Sequence, residues 1–308
     1  MRTFIFTALT ALCLAAAALP AGAELQIAAT TSDLAWIAER VGGDDAEVML
    51  LCPGERDPHN LPAKPSLARK LGRADLLVYN GLELEVGWLP LLIDAARNPD
   101  IRPGSRGELD CSQALETILE VPEAPVDRSR GDIHPLGNPH YLADPRNGVG
   151  VARLMAERMA TLDPPAADRY SERAESLALE IARRLSEWET AVAPLRSHAI
   201  VVYTKQWEYL LHWLDLELLG AIEHRPGIAP SPRHVEELVR AGRRRGDAIV
   251  IAAPWNHLDA ARQAAERMQA PFVLLPAAVG SLEGAADYLR MFDTICAALA
   301  GAAGSDGD

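Results

Sequence analysis

Several things are scarce in this chain, and each scarcity removes a class of function. It has four cysteines in 308 residues and no C-x-x-C pair, so a thiolate metal site is not expected. The three cysteines beyond the N-terminal segment (Cys52, Cys111, Cys296) allow one disulfide at most. There is no G-x-S-x-G, no glycine-rich phosphate loop and no H-E-x-x-H, which removes the common hydrolase, nucleotide-binding and zincin signatures. Positive charge is also short: 30 Lys and Arg face 43 Asp and Glu. That balance argues against nucleic acid or an anionic membrane as partner and is compatible with a cationic ligand.

The one long apolar run is at the start, MRTFIFTALTALCLAAAALPAGA. A single basic residue precedes it and Ala21-Gly22-Ala23 closes it in a small-x-small cleavage pattern. The run is too short for a comfortable membrane span. It reads as a secretory signal peptide cut after Ala23, with the mature protein exported to the periplasm at a net charge of −14, from 29 basic and 43 acidic residues.

Beyond Ala23 the pattern alternates. LQIAATT (25–31) and AEVMLLCPG (46–54) read as strands, PSLARKLGR as a helix, DLLVYNG as a buried strand and GWLPLLIDAARNP as a helix. Residues 102–130, rich in Pro, Gly and acid, read as irregular surface. GVGVARLMAERMATLD is helical. In 164–195, Tyr170, Leu177, Ile181, Leu185, Trp188, Val192 and Leu195 line one helical face. Thirty-two residues at ~1.5 Å each reach about 48 Å, enough for a spine joining two lobes. The alternation then restarts, with strands at HAIVVYT, LELLGAIE, DAIVIAAP and PFVLLP. Helices are expected at KQWEYLLHWL, SPRHVEELVRAGRRR and LDAARQAAERMQ, and a closing helix over SLEGAADYLRMFDTICAALA. The expected architecture is α/β: two similar lobes with parallel sheets joined by a long helix, divided at 24–163, 164–195 and 196–300, with 301–308 a disordered tail.

Two loops carry the chemistry. GERDPHNLPAKPS (54–66) presents His59 from a strand's carboxyl end between prolines, where α/β folds bind ligands. GDIHPLGNPHYLADP (131–145) holds His134 and His140 six residues apart, with Asp132 and Asp144 as turn formers. Histidine is the common imidazole ligand for transition metals.

These loops, with ADLLVYNGLELE, VVYTKQWEYL and VGSLEGAADYLRMFD in the same order, resemble the periplasmic metal-binding proteins of zinc and manganese ABC importers. That group is the cluster A-I (TroA-like) solute-binding family. The resemblance implies a non-enzymatic, monomeric binder that captures a divalent ion between its lobes and delivers it to an ABC permease. It implies Zn²⁺ first, with Mn²⁺, Fe²⁺ or Cu²⁺ open. It assigns His59 and His140 as ligands and leaves His134 outside the usual set. The third family ligand falls on Thr204 and the fourth on Ala277, with Ala253 where an acid otherwise stands. EAPVDRSRGD replaces the family's His-rich loop without a histidine.

A zinc shell wants four N, S or O donors near tetrahedral geometry, so two histidines leave half of it open. His134, Glu223, His224 and His257 are the side chains that could complete or support it, with Thr204 a weak neutral donor. The alternative is a divergent member that lacks tight free-metal binding, acting as a metallochaperone or accessory protein or binding a chelated metal complex.

Overall fold

The computed structural model describes residues 24–122, 134–223 and 227–303. Its first sheet is built from β1 (Leu25–Ala29), β2 (Ala46–Leu50), β3 (Leu76–Tyr79) and β4 (Glu108–Asp110), in the order β2-β1-β3-β4 with every pair parallel. The second repeats it with β5 (Ala199–Val202), β6 (Glu217–Ala221), β7 (Ala248–Ala252) and β8 (Phe272–Leu274), in the order β6-β5-β7-β8, again all parallel. In each, the second strand of the chain lies on one side of the first and the third on the other. Ligand crevices form at such a switch point, beyond the strands' carboxyl ends.

Side chains alternate faces along a strand, and that alternation divides the interior. Ile27 and Ala29 of β1, with Leu76 and Val78 of β3, point to one core; Ile200 and Val202 of β5, with Ile249 and Ile251 of β7, point to the same one. The intervening residues face outward into separate layers. Ala28 and Leu77 pack with Leu71, Trp88 and Leu92, and Val201 and Val250 pack with Val239 and Ala265. The shared core is filled by α1 (Ser32–Gly42), α4 (Pro145–Leu162), α5 (Ala167–Val192) and α9 (Tyr288–Ala303). The outer layers are α2 (Pro65–Leu71) and α3 (Leu89–Ala96) on the first sheet, and α7 (Pro232–Arg245) and α8 (Leu258–Met268) on the second. The short α6 (Glu208–Leu214) follows β5.

The structure departs from the sequence reading in three places. The spine helix is α5, 26 residues and about 39 Å long, with a single 3-10 turn before it and another after it. The segment read as irregular surface contains β4, only three residues long and too short for a periodic signal. The closing helix begins at Tyr288, after turns over 281–287, and continues to Ala303, into the expected tail; residues 304–308 lie outside the described residues. Cys52, Cys111 and Cys296 are all buried free thiols, so no disulfide forms among the described residues.

Tertiary hydrogen bonds join the lobes at several points. The Asp33 carboxylate at the start of α1 accepts the Val279 N–H at 2.7 Å, and Tyr288 donates its hydroxyl proton to the Leu142 carbonyl at 2.7 Å. Gly54 lies so close to this seam that a Cβ there would stand 1.9 Å from the Val279 carbonyl oxygen. Spine and first lobe are tied by Asp45, whose carboxylate is gripped by Arg169 at 2.5 Å and Arg173 at 2.8 Å. The Arg169 hydrogen bond is the main cause that holds this carboxyl at about 2 against an ordinary 3.8; partial burial opposes it and Arg173 reinforces it. A depressed folded-state value contributes stability that is complete above the unfolded value and lost as pH falls through the folded one. Asp45→Asn should therefore have a lower urea midpoint than the parent at pH 5 to 7, and the two midpoints should converge towards pH 2.

Candidate metal centre

The first-lobe wall of the site is made by two loops leaving the carboxyl ends of the first sheet and by the segment preceding α4. After β2 the chain reaches Asp57-Pro58-His59, where a 3-10 turn starts. Asp57 caps that turn by accepting the His59 N–H at 3.0 Å, and its carboxylate also accepts from the His59 ring Nδ1 at 2.6 Å. Burial alone would raise the Asp57 carboxyl, but the hydrogen bonds and charge of His59, with help from Asn60, outweigh it and set the carboxyl at about 2. Asp57 is thus ionised and can only accept, so the proton of this bond sits on Nδ1 and Nε2 is the His59 nitrogen left to serve as a ligand atom. Trp88 fixes the loop from below, donating its indole N–H to the Pro58 carbonyl at 2.8 Å.

The His140 loop is held by two asparagines. Asn80, at the end of β3, donates its side-chain amide to the Pro139 carbonyl at 3.2 Å, and its own carbonyl accepts the Tyr141 hydroxyl at 2.9 Å. Asn138 accepts the His140 N–H at 2.9 Å and donates to the Lys205 carbonyl of the second lobe at 2.9 Å. Asp144 then caps α4, accepting the Arg146 N–H at 2.9 Å. Burial, with the neighbouring His59 and His134, keeps the His140 imidazole well below its usual 6.5, so it is neutral near pH 7.

A turn from His134 to Gly137, closed by the Gly137 N–H on the His134 carbonyl at 3.2 Å and ending with Gly137 at φ +111°, places His134 towards these residues. His134 Nε2 stands 3.1 Å from His59 Nε2. Donor atoms of His59, His134 and His140 all lie within 4.8 Å of one another, and no other trio of His, Cys, Asp and Glu among the described residues does so. Two nitrogens each 2.0–2.1 Å from one tetrahedral zinc ion are ~3.3 Å apart, so the His59–His134 spacing already suits a shared ion.

The opposite wall belongs to the second lobe. A cleft of about 670 Å³ separates them, with Thr204, Glu223 and His257 on its far side. None of these three joins the histidine trio. The Glu223 carboxylate is engaged by the Gly227 N–H at 2.6 Å, the Thr204 hydroxyl by Gln206 at 3.2 Å, and the exposed His257 ring lies 6.4 Å from that of Tyr203. His224 lies outside the described residues, as does Asp132. Behind His140 a small cavity of about 50 Å³ opens beside Ala277, and the unpartnered Ser32 hydroxyl and Trp207 indole N–H border it. That is room for buried water where a longer side chain at 277 would project. Ala253 is wholly buried and spends its N–H on Asn256.

Sequence reasoning missed Asp57, Asn80 and Asn138 as positioning residues. The signal for the first was present: an Asp two residues before a His, across a proline, is a local side-chain cap that also reaches the ring. The asparagines act across 59 and 67 residues of chain and leave no local pattern. Since outer partners of a histidine ligand typically contribute 10–100-fold in metal affinity, Asp57→Ala should weaken zinc binding by about that factor in a chelator competition titration.

Comparison with known proteins places the chain in a family. The family described as zinc-uptake complex component A, periplasmic, matches residues 27–302. The manganese ABC transporter substrate-binding lipoprotein PsaA of Streptococcus mitis is 27% identical over 146 residues, 46% of this chain and 43% of its own length. The match thus spans under half of that relative. The metal ABC transporter substrate-binding lipoprotein SloC of Streptococcus mutans is 24% identical over 222 residues, 70% of this chain and 69% of that one. Among solved structures, a ZnuA deletion mutant with zinc bound superposes with a TM-score of 0.74 at 22% identity, covering 91% of this chain and 98% of that one. The Mn-bound periplasmic metal binding protein from Candidatus Liberibacter asiaticus gives 0.74 at 18% identity, covering 91% and 100%. The structural likenesses establish the two-lobed TroA-like fold, and the sequence match across 27–302 establishes that the chain belongs to the zinc-uptake component A family, the cluster A-I solute-binding proteins of metal ABC transporters.

Proposed function

We propose that this protein captures a divalent transition metal, zinc, on His59, His134 and His140 and delivers it from the periplasm to an ABC permease as a non-enzymatic monomer. The observation that carries the reading is the convergence of three imidazoles, one of them oriented by an ionised carboxylate, on a single point at the mouth of an inter-lobe cleft. Three neutral nitrogen donors with no carboxylate among them suit zinc better than manganese, which prefers oxygen. His134 takes over the third place, and Thr204 does not supply it.

The two chain departures at Thr204 and Ala277 fit this arrangement. With the third donor supplied by the first lobe, the ion sits against that lobe, and the second lobe forms only the far wall. Glu223 and His257 then shape the cleft and its polarity and do not bond the ion. Isothermal titration of the mature protein with Zn²⁺ tests the proposal: one site with a dissociation constant in the micromolar range or tighter is expected. Absence of heat and of competition with a chromophoric chelator at those concentrations would sink it.

A further inference from the structure

We propose that the cleft accepts the metal together with a small aminocarboxylate chelator, an amino-acid-sized molecule whose own nitrogen and oxygen atoms fill the coordination positions the three histidines leave open. This rests on the zinc-binding reading above and specifies the substrate it implies.

Three independent features lead there. The first is the donor set. Among the described residues no fourth His, Cys, Asp or Glu donor joins the trio, and two polar groups lining the far side of the cleft are already engaged: Glu223 by the Gly227 N–H, Thr204 by Gln206. A zinc ion needs at least one donor more than the described residues supply.

The second is space. One water occupies ~30 Å³, whereas the cleft holds about 670 Å³, in the range of sites that enclose small organic ligands. Its lining includes the aromatic residues Tyr203 and Trp255, the amide residues Asn60 and Asn256, and Lys205, whose ammonium is paired with Glu120 at 2.6 Å and Glu208 at 3.3 Å. Aromatic walls with a few polar groups are what an organic guest uses and a bare ion does not.

The third is rigidity. A second-lobe ligand could be brought to the ion only by closing the cleft. Closure would shear the shared core and break the bonds from Val279 N–H to Asp33, from Asn138 to Lys205 and from Tyr288 to the Leu142 carbonyl. Packed cores resist continuous deformation, so the gap stays for a guest to fill. The class of guest follows from charge. A divalent ion on three neutral imidazoles keeps its full 2+, and a carboxylate bonded to it offsets that charge while an amine or imidazole nitrogen matches zinc's preference.

Equilibrium dialysis of the full mature chain with radiolabelled L-histidine or iminodiacetate, with and without one equivalent of Zn²⁺, tests this. Near-stoichiometric retention of either probe with zinc, none without it, and loss of retention in His59→Ala/His140→Ala are expected. Zinc bound at one equivalent with neither probe retained, or zinc bound without the probes and stripped off by them, would overturn the chelate inference and leave the zinc site standing. Retention of neither zinc nor probe would overturn both. Retention of a probe in the absence of zinc would show an organic subsite independent of the metal and overturn the chelate reading alone.

Discussion

Replacing His59 and His140 together by alanine is expected to abolish zinc binding at micromolar concentrations. Each single replacement should weaken it beyond the 10–100-fold attributed to outer partners. The expectation comes from how the donors are held. The His59 ring is held by Asp57 on its far nitrogen, and the backbone at His140 is held by Asn138 and, one residue before, by Asn80, so the His59 ring and the His140 backbone are in place when the metal arrives. Preorganisation of this kind places most of the binding free energy in the two rings themselves. His134 sits on a glycine turn, its loop end anchored by Asn138 to the Leu119 carbonyl. Its alanine variant should fall between the other singles and the parent. Circular dichroism of the metal-free variants should match the parent, because all three rings are only half-buried and face the cleft. An unchanged affinity in the double variant would move the site elsewhere.

The second large effect concerns stability. Trp188→Ala should destabilise the protein by about 3–5 kcal/mol, the usual result of emptying a buried indole site. Trp188 lies on the inner face of α5 at 3% exposure, between Phe292 at 5.3 Å and Trp213 at 6.0 Å between ring centroids. Its indole N–H donates to Asp293 at 2.8 Å. It therefore joins the spine to α6 and α9 at once, and nothing nearby is placed to refill the volume. Trp188→Phe keeps the ring contacts and loses mainly the hydrogen bond, for about 1 kcal/mol. Urea unfolding followed by circular dichroism measures both. A loss under about 1 kcal/mol for the alanine variant would show that the spine does not depend on this cluster.

Much of this architecture is local in origin. The strands are short β-branched runs, the helices have strong 3.6-residue periodicity, and the loops are marked by proline, so seven of the eight strands and the order of elements are visible from residue pattern alone. β4 was not, since its three residues pair with β3 through backbone bonds that any sequence can make. The bounds of α5 were overestimated because amphipathic spacing continues into the 3-10 turns at both ends.

The site divides in the same way. His59 and His140 stand in loops whose proline and aspartate chemistry is local; Asp57, two positions away, presents His59, whereas the His140 loop also needs Asn80 and the bond from Asn138 to Lys205. His134 does not follow from its neighbours. Its approach to His59 joins residues 75 positions apart and depends on the turn at Gly137 and on the anchoring of Asn138 to Leu119 and Lys205. Thr204, Ala253 and Ala277 carry no strong metal donor by residue type, and the family resemblance is what singles those positions out. Only the tertiary structure decides what that means. It brings His134 beside His59 and His140 and sets a cleft of about 670 Å³ between them and the second lobe. Donor identity is written residue by residue, whereas the distance between donors is set by packing that sums over the whole chain.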